Sequence, residues 1–255
     1  MVTQKKRVLV KIGTNTLTKE TDQISRGKIE DIGRQIARYQ DQYEFILVCS
    51  GAIAAAKQFV KLEHNGQAIT IKQALAAIGQ PRLMHIFQEN FRELGLFTSQ
   101  CLFSYSDLEN EASRLNIKNT INVLLANRVI PIINENDTVA TEEIQFGDND
   151  KLAALTAVFL QADLMMIATN TNGIYTKASL VAGRPETIAR VTSIQDLQQE
   201  INTEKSTHGT GGMASKIEAA AIAQKAGIET WIVNGLQDGF IQAAFEGAGT
   251  MTKII

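Results

Sequence analysis

Short apolar runs alternate with helix-period segments along nearly the whole chain. Residues 7–12 (Arg-Val-Leu-Val-Lys-Ile) and 45–49 (Phe-Ile-Leu-Val-Cys) are too short for independent helices, and each is almost continuously apolar. Runs of that length, bounded by polar or glycine-containing stretches, predict buried strands. Strands are also predicted at 97–103, 129–133, 164–168 and 230–233, with a final edge strand near Met251. Between the runs the period changes to that of a helix. Ile29, Ile32, Ile36 and Ala37 fall on one face of a segment spanning 25–40. Consecutive helices are predicted over 71–78 and 81–94, with Pro81 at a first helical turn. Further helices are predicted over most of 106–127, over 149–161 and 212–226, and in a short piece around Phe240. Strands separated by helices need crossover connections, so the expectation is an α/β fold with a mostly parallel sheet covered on both faces. The polar, irregular stretch 177–210 reads as a mobile flap. No repeat, low-complexity tract or Pro/Gly/Ser linker divides the chain, which reads as one domain with two lobes.

The pattern breaks most sharply after the run Val129-Ile130-Pro131-Ile132-Ile133. Residues 134–151 carry six carboxylates and four side-chain amides in eighteen positions. Polar loops at strand ends of an α/β sheet are where small-molecule sites form. These groups could hold a metal, a cationic group or water, although their spacing matches no EF-hand loop. Three other polar loops follow apolar runs: Gly13-Thr14-Asn15-Thr16, Ser50-Gly51-Ala52 and Thr169-Asn170-Thr171-Asn172-Gly173. In a parallel sheet all four converge at the carboxyl edge of the strands.

Two lysines are anomalous. Lys11 ends the run Val8-Leu9-Val10, where it either reaches solvent along its stem or meets an anion. Lys216 follows the loop Gly209-Thr210-Gly211-Gly212-Met213-Ala214-Ser215 and lies one turn inside a predicted helix. Such a loop is either a structural turn or a phosphate cradle, in which glycines let backbone N–H groups approach an anion at a helix N-terminus. Gly209, Gly211 and Ala214 also satisfy G-x-G-x-x-A. The preceding residues 202–208 are polar rather than a buried strand, and no acidic residue ends the next strand to hold a ribose, which weighs against dinucleotide binding. A P-loop is absent because Lys216 follows Ser215 and precedes Ile217.

Composition narrows the reading further. Twenty-five basic and twenty-seven acidic residues give a net charge of −2, which argues against a dedicated nucleic-acid binder. Cys49 and Cys101 are isolated and read as buried thiols of a reducing cytosol. No apolar stretch approaches a signal peptide core or a membrane span, so a cytoplasmic chain without membrane contact is expected. His64, His85 and His208 have no partner pattern around them. A hydroxyl acceptor usually needs a general base, whereas a carboxylate is already ionised at pH 7. Two lysines, helix N-termini and Mg²⁺ would then suffice for phosphoryl transfer to a carboxylate.

The segments Val10-Lys11-Ile12-Gly13-Thr14, Ser50-Gly51-Ala52-Ile53-Ala54, Ala77-Ile78-Gly79-Gln80, Asn134-Glu135-Asn136-Asp137, Gly147-Asp148-Asn149-Asp150 and the Gly209 to Lys216 loop occur in this order across the chain. Together they resemble the glutamate 5-kinase family of the amino-acid kinase superfamily. The resemblance implies a three-layer αβα sandwich around a mostly parallel, roughly eight-stranded sheet. It implies a glutamate-binding lobe over about 1–162 and a nucleotide-binding lobe over about 163–255, in the short form without a C-terminal PUA-type domain. The implied reaction converts ATP and L-glutamate to L-glutamyl 5-phosphate and ADP, the first step of proline synthesis, with L-proline as feedback inhibitor. Mg²⁺ would be held mainly through the nucleotide phosphates, with no protein metal site. A homodimer or homotetramer and contact with glutamyl phosphate reductase are further implications.

By the same resemblance Lys11 and Lys216 stabilise the transferring phosphoryl group and Asp148 holds the lysines in position. Ser50, Gly51, Asn134, Asp137, Asn149 and Asp150 line the glutamate site. Lys11, Gly13, Thr14, Thr169, Asn170, Thr210, Gly211, Gly212, Met213, Ala214, Ser215 and Lys216 line the nucleotide site. Glu142 and Glu143 are expected in solvent. Asn170 stands where many relatives carry Asp. Sibling kinases acting on acetylglutamate, aspartate, carbamate or UMP share the fold and the lysine logic. The two acid-and-amide segments favour free glutamate, whose ammonium needs acceptors. A non-catalytic amino-acid sensor on this fold would be expected to have lost Lys11 or Lys216, and both are present.

Overall fold

The structure is a computed structural model that describes residues 5–63, 68–140, 149–197 and 212–255. β1 (Lys6–Ile12) leads through α1 (Thr14–Thr18) to α2 (Arg26–Tyr39) and β2 (Tyr43–Cys49). α3 (Ala52–Lys57) and α4 (Ala68–Glu93) precede β3 (Phe97–Phe103), and α5 (Tyr105–Glu109) and α6 (Glu111–Ala126) precede β4 (Val129–Glu135). α7 (Asp150–Phe159) leads to β5 (Leu164–Thr169). Then come α8 (Lys177–Val181), β6 (Arg190–Val191), α9 (Ile194–Leu197), α10 (Met213–Lys225), β7 (Glu229–Asn234), α11 (Phe240–Glu246) and β8 (Met251–Ile254). The strands form one eight-stranded sheet in the order β3-β4-β2-β1-β5-β7-β8-β6. Pairing is parallel throughout except between β7 and β8.

The two-residue period of a strand decides what each face of the sheet receives. Val8, Val10 and Ile12 of β1 face α2, α4 and α11, in a cluster with Ile29, Ile32, Ile36, Leu83, Phe87 and Ile241. Leu9 faces the other way, towards α6, α7 and α10, with Leu125, Leu152, Ala153 and Ala219. Both faces are therefore covered, giving the three layers that the resemblance implied. Ile29, Ile32 and Ile36 are fully buried, and each contributes about 1.5–3 kcal/mol of hydrophobic stabilisation. The same period puts Lys11 on the side of Leu9, beneath α7 and α10. β1 leads to helices on one face and β5 leads on to α10 on the other, so the loops diverge between these neighbouring strands. Such a switch point opens a crevice at the carboxyl edge.

α2 begins at Ser25, whose side chain accepts the Lys28 N–H at 3.2 Å. Lys28 is fully buried despite its charge. Its ammonium donates to Gln237 O at 2.7 Å, Asp31 Oδ2 at 3.1 Å and Asp238 Oδ1 at 3.1 Å, pinning the β7–α11 loop onto α2. A buried ammonium is tolerated here because oxygens surround it.

Several boundaries differ from expectation. The two helices expected around Pro81 are one continuous helix, α4. Ala77 and Pro81 are both exposed, so the carbonyl left without its amide partner faces water, while buried Leu75, Leu83, Phe87 and Phe91 hold both halves of the helix. The segment expected to be largely helical over 106–127 is interrupted at Asn110, whose side chain accepts the Ser113 N–H at 2.9 Å and starts α6 afresh. The two loops expected after β1 and β2 fold into the short helices α1 and α3. β8 is not an edge strand, because β6 pairs outside it. The first part of the expected flap carries α8, β6 and α9, with a bridge between Tyr175 and Thr187, while residues 198–210 lie outside the described residues. Cys49 is buried as expected, whereas Cys101 on the outer strand is only half-buried. His85 lies exposed on α4, 3.0 Å from Glu89, and His64 and His208 lie outside the described residues. No helix among the described residues is long and apolar enough to cross a membrane.

Gly79 sets how closely α4 lies on α3. A Cβ there would stand 1.8 Å from Ala52 O and 2.7 Å from Ala56 N, both backbone atoms. We expect Gly79→Ala to force the helices apart and lower unfolding stability by about 3 kcal/mol, read by urea denaturation. An unchanged midpoint would show that the contact has room to give.

Candidate active site

Lys11, Asp150 and Lys216 meet at the carboxyl end of β1. Lys11 Nζ lies 2.6 Å from Asp150 Oδ1, and Lys216 Nζ donates to Asp150 Oδ2 at 3.1 Å. All three are buried, Asp150 completely. Asp150 is the first residue of α7 and Lys216 lies in the first turn of α10, so the positive ends of two helices point at the same place. The Ser215 hydroxyl lies 2.9 Å from Asp150 Oδ2 and 2.8 Å from Gly212 O, with one proton to donate between them. Burial alone would raise the Asp150 carboxyl. The Lys11 and Lys216 ammonium groups and their hydrogen bonds outweigh that effect and hold it at about 2. One carboxylate between two ammonium groups leaves a net positive cluster beneath two helix N-termini, a setting suited to an incoming polyanion.

A second group of polar side chains lies beside it. Asn149 precedes α7 and is fully buried; its Nδ2 donates to Cys49 O and to Asn134 Oδ1, both at 2.8 Å. Asn134, near the end of β4, also accepts the Glu135 N–H at 3.0 Å and donates to Gln80 Oε1 at 2.8 Å. Ser50 N donates to Ile12 O at 3.2 Å, which ties the loops after β1 and β2 together. Gly51 caps α3 with φ +108, a left-handed backbone that side chains disfavour. Three buried oxygens here have no hydrogen-bond partner among the described residues: Ser50 Oγ, Asp137 Oδ1 and Asn149 Oδ1. Buried polar atoms are rarely left so, and a donor-bearing ligand would satisfy them. Burial pushes the Asp137 carboxyl up to about 6.

The remaining expected residues distribute along the same edge. A Cβ on Gly13 would stand 3.6 Å from Lys11 Nζ, and Thr14 opens α1. Thr169 ends β5, with its Oγ1 3.5 Å from Asn170 Oδ1. Asn170 Nδ2 donates to Glu20 Oε1 at 3.0 Å, a contact only an amide can make; an Asp at 170 would oppose Glu20 with a second acceptor. Gly212, Met213 and Ala214 begin α10. Asp148, Glu142, Glu143, Thr210 and Gly211 lie outside the described residues.

Two expected residues are seen with partners that the resemblance did not name. Asp150, placed by resemblance beside the substrate, is a carboxylate between the lysines, a place the resemblance gave to Asp148, which lies outside the described residues. Ser215, expected on the nucleotide, is directed at Asp150. Gln80 and Glu20 were assigned no role in the sequence; Gln80 occurs in a quoted motif, yet only folding shows that it reaches Asn134. No group of three or more His, Cys, Asp or Glu that could hold a metal occurs among the described residues, and both Asp150 oxygens face lysines. These residues do not form a protein cage for Mg²⁺.

A switch-point crevice, paired lysines and converging helix N-termini define a class of enzymes built to hold and move a phosphoryl group. Residues 6–234 match the amino acid kinase family, and the chain belongs to that family. It is 38% identical over 248 residues to glutamate 5-kinase of Moorella thermoacetica, covering 96% of this chain and 66% of that protein. It is 39% identical over 248 residues to glutamate 5-kinase of Yersinia enterocolitica (96% and 68%). With glutamate 5-kinase of Syntrophotalea carbinolica it shares 40% identity over 251 residues (97% and 66%). The chain thus spans about two thirds of the length of these curated relatives. UMP kinase from Ureaplasma parvum superposes with a TM-score of 0.65 at 16% identity, covering 98% of this chain and 99% of that one, and shares the fold.

The lysine pair makes stability depend on pH with a definite sign. The Asp150 carboxyl sits near 2 when folded, below its ordinary 3.8, so its contribution is present above about pH 4 and lost as pH falls through 2. We expect Asp150→Asn to be less stable than the parent by about 2 kcal/mol at pH 7, with the gap closing between pH 4 and 2 in urea titrations. A gap independent of pH would detach Asp150 from the lysines.

Proposed function

We propose that the chain phosphorylates the γ-carboxylate of L-glutamate with ATP, giving L-glutamyl 5-phosphate and ADP, the first step of proline biosynthesis. The observation that carries this reading is the Lys11–Asp150–Lys216 cluster, together with buried oxygens of Ser50, Asp137 and Asn149 that have no hydrogen-bond partner among the described residues. Relatives named glutamate 5-kinase, at 38–40% identity over nearly the whole chain, support it. The acceptor carboxylate is already ionised, so the site needs alignment and charge neutralisation rather than a base. A carboxylate oxygen forms the new bond to the γ-phosphorus, and the bond to the β–γ bridging oxygen breaks, leaving ADP. Lys11 and Lys216 face the charge that spreads over the transferring group, while Asp150 holds both ammonium groups in place. Asn149, Asp137 and Ser50 offer acceptors to the substrate ammonium. An acetylated amino group would meet them with a single N–H, which favours free glutamate over acetylglutamate. Retention of both lysines favours an enzyme over an amino-acid sensor.

The glutamate side is assigned to the lobe ending near residue 162, and the nucleotide side to Thr169, Asn170 and the start of α10. Magnesium in such a site rides on the nucleotide phosphates. L-Proline shares the charged amine and α-carboxylate of glutamate, so feedback inhibition fits the same pocket. The product is a labile acyl phosphate, which places glutamyl phosphate reductase as its consumer. A cytoplasmic homo-oligomer completes the reading.

An ATP-dependent hydroxamate assay across glutamate, acetylglutamate and aspartate tests the reaction, because hydroxylamine traps acyl phosphates. We expect signal with glutamate alone; signal only with another acceptor would replace the substrate. Lys216→Ala should lower kcat by about 10²–10³-fold with an unchanged circular dichroism spectrum, and unaltered turnover would remove Lys216 from the mechanism. Asp137 must be ionised to meet an ammonium, so KM for glutamate should fall as pH rises through about 6. Asp137→Asn should raise that KM about tenfold or more, abolish its dependence on pH, and leave the KM for ATP within about twofold.

A further inference from the structure

We infer that Gln80 is a positioning residue that sets the acceptor face of the substrate pocket, acting through Asn134 and Asn149. The inference rests on the functional reading above only for its kinetic consequence; the geometry stands by itself. Four side-chain amides form a chain from the pocket to the outer strand: Asn149 donates to Asn134 at 2.8 Å, Asn134 to Gln80 at 2.8 Å, and Gln80 to Gln100 at 3.4 Å. Asn149 is fully buried, Asn134 nearly so, and Gln80 is buried on α4.

Each amide has two possible orientations, and the backbone selects one. Cys49 O can only accept, so the nitrogen of Asn149 must face it, and that leaves Asn149 Oδ1 as an acceptor with no partner among the described residues. Glu135 N–H can only donate, so Asn134 must turn its oxygen towards both Glu135 and Asn149. Asn134 Nδ2 then points at α4, where it needs an acceptor, and Gln80 Oε1 supplies it. Without that acceptor, a buried N–H₂ group is left unmade, at a cost that a flip of Asn134 could relieve. The flip would set Asn134 Nδ2 against both Asn149 Nδ2 and Glu135 N–H, donor against donor. Asn149 would then be pushed off its place and its free oxygen turned from the pocket. Gln80 therefore closes a chain in which every other direction is already fixed. Its position follows from Gly79, the residue before it, which lets α4 lie against the backbone of α3.

The test compares Gln80→Met, which keeps the shape and removes the amide, with Gln80→Glu, which keeps an acceptor for Asn134 and lets Gln100 rotate to donate. Gln80→Met should raise KM for glutamate about tenfold or more, with KM for ATP within about twofold and kcat changed far less than KM. Gln80→Glu should restore the glutamate KM to within about threefold of the parent. Unchanged glutamate KM in Gln80→Met, an equal rise in the KM for ATP, or a Gln80→Glu variant no better than Gln80→Met overturns the inference. Should Gln80→Met not fold, Gln80→Ala takes its place in the same comparison. A second readout needs no turnover: solvent exchange of the Asn149 side-chain amide protons, followed by NMR, should be slow in the parent and Gln80→Glu and fast in Gln80→Met. Equal exchange in all three overturns the inference. Absence of hydroxamate from glutamate in the parent would sink the functional reading alone, leaving the exchange comparison to decide Gln80.

Discussion

A fully buried carboxylate lies between two buried ammonium groups at the carboxyl end of the central strand, and the rest of the site is arranged around it. Burying any one of these charges without its partners would be costly, and burial alone would raise the Asp150 carboxyl. The mutual dependence locks three elements at one point: β1 through Lys11, α7 through Asp150 and α10 through Lys216. Lys11 lies more than 130 residues before Asp150, and Asp150 lies 66 before Lys216, so the ion triad joins the first strand to two helices distant from it along the chain. It also leaves the site with one positive charge in excess, directed to where two helix N-termini already favour anions.

The neighbouring pocket follows a different rule. Its order comes from neutral amides whose orientation is dictated by backbone donors and acceptors, from Cys49 O and Glu135 N–H outward to Gln80. On the function proposed above, ion pairing positions the groups that meet the phosphoryl group, and amide polarity positions those that meet the substrate amine. The two systems touch at consecutive residues, Asn149 and Asp150, one before and one at the start of α7. A shift of α7 would disturb both at once, which couples the amide chain to the placement of the lysines. The helix is itself held by Leu152, Ala153 and Ala157 in the core, so its N-terminus has little freedom.

Much of the fold was legible along the chain because burial on both faces makes a parallel strand a continuous apolar run. In this way β1, β2, β4, β5 and β7 were each found to within two residues at either end, whereas β3 matches its expected bounds although it is a half-exposed outer strand with polar residues in its middle. What failed were places where tertiary contacts outweighed local signals. Pro81 marks a helix start in isolation, yet buried neighbours on both sides carry α4 through it. Arg190–Val191 is too short to register as a strand, yet it completes the sheet by pairing with β8. The buried Lys28 gave no sign in sequence, since its three oxygen partners lie partly on a loop more than 200 residues away.

The sequence by itself determined the architecture, the convergence of polar loops at one edge, and the pair of lysines that meet there. Those properties depend on local periodicity and on the handed, parallel connections such periodicity enforces. Tertiary structure alone decided that Asp150 stands between the lysines. No pattern along the chain singles it out, and the start of α7 at Asp150 directs that side chain to Lys11 and Lys216. It likewise decided that Gln80 closes the amide chain. A hydrogen bond between residues 54 positions apart depends on how closely two helices lie, and that distance is set by packing rather than by any pattern along the chain.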